Sequence, residues 1–168
     1  MTAHGDLPDF HIPHAEKIEW MIETNGWALE PVPARTDTDP PVPGYTYTIG
    51  FPQRHGFSDV VIFGLTPSAS RGLLDLVDEI CVGGTQIPLG VPLTGVFDND
   101  LRCVFAPVDL TIWSDLFATG VAWVRGGPLS MVQLLWPDRN GFLPYEPGFD
   151  QRVAAAQPVI GTLADTED

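Results

Sequence analysis

The sequence predicts a single α+β domain with a central, mostly antiparallel sheet and about three main helices. Three observations carry that reading. Apolar and polar residues alternate from Tyr45 to Phe51, the period of two of a half-buried strand. Val60 to Leu65 is apolar almost throughout, as in a strand covered on both faces. Strands then cluster along the chain and do not alternate strictly with helices, which favours α+β over a doubly wound fold. The 168 residues, 44% of them hydrophobic, suit one domain with a sizeable core.

In order, residues 1–12 read as a flexible N-terminal segment. A helix is expected from Pro13 to about Asn25, with Ala15, Ile18 and Ile22 on one face, Met21 beside them and a stop at Asn25-Gly26. Trp20 falls off that stripe, at the edge of the core or partly exposed. Trp27 to Val32 reads as a short strand that Pro31 and Pro33 confine to an edge, and residues 34–44 as loop. In the Tyr45–Phe51 strand, Tyr45, Tyr47, Ile49 and Phe51 share a face. A polar loop from Pro52 to Ser58 then leads through Asp59 into the buried strand.

Thr66 is placed to cap a helix that Pro67 opens, with a stripe at Ala69, Leu73, Leu76, Val77 and Ile80 and an end at Gly83-Gly84. Pro88–Phe97 and Leu101–Val108 read as a hairpin turning at Asp98-Asn99-Asp100. Ser114–Arg125 reads as a helix that contains Gly120, at about 1 kcal/mol against alanine. Leu129–Trp136 is an apolar strand, Pro137–Gly141 a turn, and Phe142–Phe149 an extended strap. A short helix falls near Val153–Ala156. The domain accordingly spans 13–160, followed by an acidic tail over 161–168.

Charge excludes several functions. With 22 acidic and 8 basic residues the formal charge is −14. Such a surface repels nucleic-acid phosphates and anionic membranes. It suits either solubility or a basic protein partner. No apolar run approaches the roughly 20 residues that cross a bilayer. The N-terminal residues lack a basic start and an apolar core, so a cytoplasmic protein is expected. Cys81 and Cys103 read as reduced core thiols, their spacing leaving a bond between them open.

His55 stands in the polar loop with Arg54 and Asp59. An imidazole beside a carboxylate serves as a general base or ligand, or is merely a hydrogen-bonded loop residue. His11, His14 and Glu16 form H-x-x-H-x-E, but Pro13 breaks the helix that would align them, so no metal is assigned. Asp98 and Asp100 lack the further ligands of a calcium loop. Trp136-Pro137-Asp138 looks like the mobile acid loop of tyrosine phosphatases. Their chemistry needs arginine six places after a cysteine, where Cys81 has Ile87 and Cys103 has Asp109. Sheltered by Trp136, Asp138 is still placed to line a pocket. Neither G-x-S-x-G, a P-loop nor G-x-G-x-x-G occurs. The five tryptophans would suit a planar flavin, but without a phosphate-cradling pattern no cofactor is assigned.

Four stretches in order, YTIGF at Tyr47–Phe51, IFGL at Ile62–Leu65, LLWPDRNG at Leu134–Gly141 and PYEPGF at Pro144–Phe149, together resemble a bacterial domain-of-unknown-function family, DUF4262, over roughly residues 13–160. That family's pattern has an aliphatic residue after YTIG and Pro-Glu before the buried strand, where this chain has Phe51 and Ser58-Asp59. Its Pro-Trp-Glu stands here as Pro144-Tyr145-Glu146. The resemblance implies one domain and no particular activity.

Three functions are expected in turn. The first is a non-catalytic protein that binds a partner or small ligand, with Tyr47, Arg54, His55 and Trp136 as contacts. The second is an enzyme, or a metal- or ligand-dependent protein, with a pocket built from Tyr45–Asp59 and the Trp136–Gly141 turn. There His55, Asp59 and Asp138 would converge within about 2.6–3.2 Å. The third is an acidic inhibitor of a basic toxin or nuclease.

Overall fold

The computed structural model describes residues 14–125 and 127–164. The expected N-terminal segment and the last four residues of the tail lie outside them. The described strands form one sheet: β1 (Ala28–Val32), β2 (Tyr45–Ile49), β3 (Asp59–Phe63), β4 (Val104–Pro107) and β5 (Met131–Leu135), in the order β1-β2-β3-β5-β4. Three pairings are antiparallel, and β3 with β5 is parallel. The expected α+β class and mostly antiparallel sheet are therefore present, with β1 at an edge as its prolines require.

Helix α1 (His14–Asn25) packs on β1 through buried Ile18, and Trp20 is 52% exposed. The sheet separates two apolar clusters. Val60, Ile62, Val132, Leu134 and Phe105 point to one face, where helix α3 (Pro67–Val82) lays Leu74 and Val77 on them. Tyr45, Tyr47, Ile49, Val61, Phe63 and Met131 point to the other, against Ile18 and Phe117. The alternation seen in the sequence of β2 is thus real, but the strand is buried throughout because α3 covers its threonine face as well.

β2 stops at Ile49, and Phe51–His55 is a short helix, α2, where the sequence suggested strand and then loop. Gly50 at φ +110° turns the chain out of the strand, Pro52 sits in the first turn, and Gly56 at φ +71° ends the helix. Phe51 consequently crosses to the α3 side of the sheet, edge-on to Trp27 at 5.3 Å.

Thr66 caps α3 as expected, its hydroxyl accepting from the Ala69 N–H at 3.1 Å. The buried line, however, is Ser70, Leu74 and Val77, with Ala69 and Leu76 exposed. Leu73, Leu74, Leu76 and Val77 make a wide apolar arc, and the small Ser70 places its closest approach to the sheet. The expected strand Pro88–Phe97 reduces to one bridge, Leu93 with Cys103, since Pro88 and Pro92 have no N–H for a ladder. Its turn holds, with Asn99 and Asp100 left-handed at φ 62° and 58°.

The helix expected at Ser114–Arg125 begins earlier and is broken. It comprises α4 (Leu110–Trp113), started by the Asp109 cap, a tight turn at Ser114–Phe117, and α5 (Ala118–Val124). The chain then returns through β5. After a single tight turn at Ala154–Ala156, residues of the expected tail are stitched to the sheet: Thr162 N–H donates to Pro107 C=O and Ala164 N–H to Gly90 C=O. Cys81 and Cys103 are free thiols. No helix among the described residues is long and apolar enough to cross a membrane.

Candidate ligand-binding groove

Two of the three residues expected to converge, Asp59 and Asp138, lie at opposite ends of the sheet, and His55 is bonded to neither. Asp59 opens β3 opposite Met131, the first residue of β5. From there β5 runs roughly 13 Å, at about 3.3 Å per residue, before the turn that carries Asp138. Asp59 accepts from Thr48 Oγ1 at 2.7 Å and from Phe51 N–H at 3.0 Å. Burial pushes its carboxyl up to about 7 against those bonds. Asp138 accepts from the N–H groups of Asn140, Phe142 and Asp150 at 2.9, 2.9 and 2.8 Å. Desolvation opposes its charge, yet those donors outweigh it and hold Asp138 below the usual range. Each carboxylate fastens local backbone. Asp138 does line a hollow of about 340 Å³ with Trp136, Arg139 and Arg152, but no residue of the Tyr45–Asp59 region lines it.

Two expected contacts are also structural. Tyr47 is buried edge-on to Phe117 at 5.1 Å, and its hydroxyl accepts the Gly120 N–H at 3.1 Å. Burial pushes its phenol up to about 12. A Cβ on Gly120 would stand 3.3 Å from the Tyr47 ring, so the glycine that weakens α5 as a helix lets it approach β2. The Trp136 indole donates to Phe63 C=O at 2.8 Å, and its backbone N–H and C=O are both bonded by the Gln157 amide.

His55 and Arg54, at the end of α2, meet Asp78 of α3. His55 Nε2–H donates to Asp78 Oδ1 at 2.6 Å, and Arg54 donates to Oδ1 and Oδ2 at 2.7 and 3.3 Å. Desolvation works against the Asp78 charge, but these donors keep its carboxyl below the usual range. His55 also lines a cavity of about 330 Å³ with Cys81. The set of thiol, imidazole and carboxylate invites a nucleophilic reading, and its electrostatics run the other way. Burial and the nearby Asp78 push the Cys81 thiol up. Cys81 also sits in the last turn of α3, where the helix dipole disfavours a thiolate. The N–H groups of Gly83, Gly84 and Thr85 are committed to the carbonyls of Glu79, Cys81 and Ile80, so they do not form an oxyanion hole.

Two further hollows share one wall, Trp123 of α5. One, about 380 Å³, lies between α1 and α5 and is lined by Ala15, Ile18, Ala118 and Ala122, with His14, Thr119 and Arg125 at its polar margin. The other, about 490 Å³, is lined by Ile22, Gly26, Gly50, Gln53 and Arg54. Residues of α1 line both, Ala15 and Ile18 the first and Ile22 the second, and taken together as one groove they have the size of small-molecule sites. None of the residues lining either hollow is acidic, in a chain with 22 Asp and Glu. Glu30 and Asp78 instead stand behind the margin, Glu30 holding His14 Nε2 at 2.9 Å and Asp78 holding Arg54. Among the described residues, no group of three or more His, Cys, Asp or Glu side chains is gathered for a metal.

A family model, "Domain of unknown function (DUF4262)", matches residues 21–150. The chain belongs to the DUF4262 family. The DUF4262 match takes in Ile22, Arg54, Trp123 and Arg125 of the groove, and it begins after His14, Ala15 and Ile18. No curated protein and no solved structure matches the chain.

Sequence reasoning identified Arg54 but missed Asp78, Arg125 and the particular role of Trp123. Gly120 was the available signal. A glycine inside a helix marks a place where another group comes close, and here that group is the Tyr47 ring, which seats α5 on β2.

Proposed function

We propose that this DUF4262 domain binds a small, largely apolar molecule in the α1–α5 groove and does not transform it. The observation that carries the reading is the pair of hollows meeting at Trp123, walled by alanine and isoleucine and free of lining carboxylates. The non-catalytic part is supported by the chemistry elsewhere: Asp59 and Asp138 are occupied by backbone donors, and Cys81 is disfavoured as a nucleophile. A cytoplasmic setting goes with this reading, supported by the two free thiols. The formal charge of −14 supports partners other than nucleic acid or an anionic membrane.

N-phenylnaphthylamine, an uncharged probe that brightens in apolar sites, tests the groove. Saturable binding to the full chain that is abolished by Ala122→Trp, which fills the first hollow from an exposed helix position, is the expected result. Unchanged binding by that variant would contradict it.

A further inference from the structure

Arg54 is prepared on one side only. Its Nε and Nη2 are spent on the Asp78 carboxylate, at 2.7 and 3.3 Å, which fixes the plane of the guanidinium from behind. Asp78 in turn accepts from His55 at 2.6 Å, so its charge is shared between two donors. Nη1 has no hydrogen-bond partner among the described residues. It lies over Gly26, where a Cβ would come within 2.3 Å of it. Gly26 has φ +90° and lines the same hollow as Arg54, Gln53 and Trp123. The glycine therefore does two things: it ends α1, and it leaves room for the guanidinium edge at the hollow. An arginine oriented by a carboxylate behind it, one third exposed and with the Nη1 N–H pair left unbonded, suits a planar anion. Beside it Trp123 offers a ring on which a flat ligand stacks, and the apolar hollow continues beyond that ring.

We infer that the groove selects a small aromatic anion, whose carboxylate, sulfonate or phosphate meets Arg54 while its ring lies on Trp123. The inference rests on the groove reading above and adds the chemical class of the ligand. The overall charge of −14 repels such a molecule at long range, so its capture requires a local cation oriented toward the site. Arg152 carries the same formal charge, is 82% exposed and lines neither hollow. It therefore separates a specific contact from a general loss of positive charge.

The test pairs two probes with one ring system, anilinonaphthalene sulfonate and uncharged N-phenylnaphthylamine, titrated by fluorescence into the full chain. The proposal expects Arg54→Gln to weaken the sulfonate probe by about tenfold or more, with the uncharged probe changed less than about twofold. Arg54→Lys still reaches Asp78 but lacks the fork. It should lose most of the same affinity, and it keeps the test open if Arg54→Gln unfolds. Arg152→Gln should leave both probes nearly unchanged. Equal sulfonate binding in wild type and Arg54→Lys, or an equal loss in Arg152→Gln, would overturn the anion assignment while leaving the groove intact. Failure of the uncharged probe to bind wild type, or its indifference to Ala122→Trp, would instead remove the groove reading beneath it.

Discussion

Asp59 and Asp138 stand at opposite ends of the same sheet and are both nearly inaccessible, at 2% and 5% exposure, yet their carboxyls are pushed in opposite directions. Asp59 lies buried beneath α2. The Thr48 hydroxyl and the N–H groups of Phe51 and Gly50 do not make up for its lost hydration. Asp138 lies in a turn, with three backbone N–H groups converging on its two oxygens. Burial alone does not fix the protonation state of a carboxylate; the balance between lost water and fixed donors does. Asp138 does line a hollow, but its two oxygens are taken up by three backbone N–H groups, and Asp59 is bonded to Thr48 and Phe51; both have local folding work that explains them.

The largest effect that would break this comparison lies in the pH dependence of stability. Because the folded-state carboxyl of Asp59 is raised, the native state holds its proton more tightly than the unfolded chain. Its contribution is full below about pH 4 and falls away as pH rises to about 7. At about 1.4 kcal/mol per unit this amounts to roughly 4 kcal/mol. Urea unfolding of wild type and Asp59→Asn across that window should show the slope in the first and its loss in the second. Parallel curves would mean that Asp59 is not sheltered as described.

Asp138 has the opposite sign. Its lowered carboxyl contributes stability that is present above the ordinary carboxylate range and is lost as pH falls through the lower folded-state value. Asp138→Asn keeps an acceptor for Asn140 and Phe142 but sets an amide against the Asp150 N–H. The expected outcome is a lower Tm at neutral pH, a smaller difference from wild type in acid, and hydrogen exchange that speeds first at Phe142 and Asp150. A Tm gap that widened in acid would reverse the assignment.

The smallest effect concerns the strap beyond that turn. Arg102 clamps Glu146 with two bonds of 2.8 and 2.6 Å and also reaches Gly141 C=O at 2.9 Å. The pair is partly exposed, at 36% and 24% for the two side chains, so water screens it. Glu146→Gln should lower stability by about 1 kcal/mol or less, and less still in high salt. A loss of several kcal/mol would show that the strap is held mainly by this ion pair and not by the bonds of Asp138.

Local signals made much of the fold legible. The Thr66 cap with Pro67, the apolar run in β3, the prolines of β1 and the left-handed Asx pair at Asn99-Asp100 each fix their own segment. Helix α2 was hidden because Phe51 continues the alternation of β2, and a glycine in the polar slot reads equally as strand or as the turn it makes at φ +110°. The face of α3 was hidden because four apolar residues in five positions, Leu73 to Val77, offer two stripes, and only the sheet chooses between them. The site was less legible. Arg54 was visible as a polar residue in a functional-looking segment. The groove itself is made where α1 and α5 meet, far apart in the chain, and no local pattern announces Trp123 as its shared wall.

With Asp59, Asp138 and Tyr47 assigned to the framework, the proposed function rests on that wall. The most direct test follows the tryptophan indole N–H resonances by NMR while N-phenylnaphthylamine is added to the full chain. The account predicts that the Trp123 resonance shifts in a saturable way, while Trp136, bonded to Phe63 C=O, and exposed Trp20 stay in place. A bound probe that moves Trp136 and leaves Trp123 unchanged would contradict it.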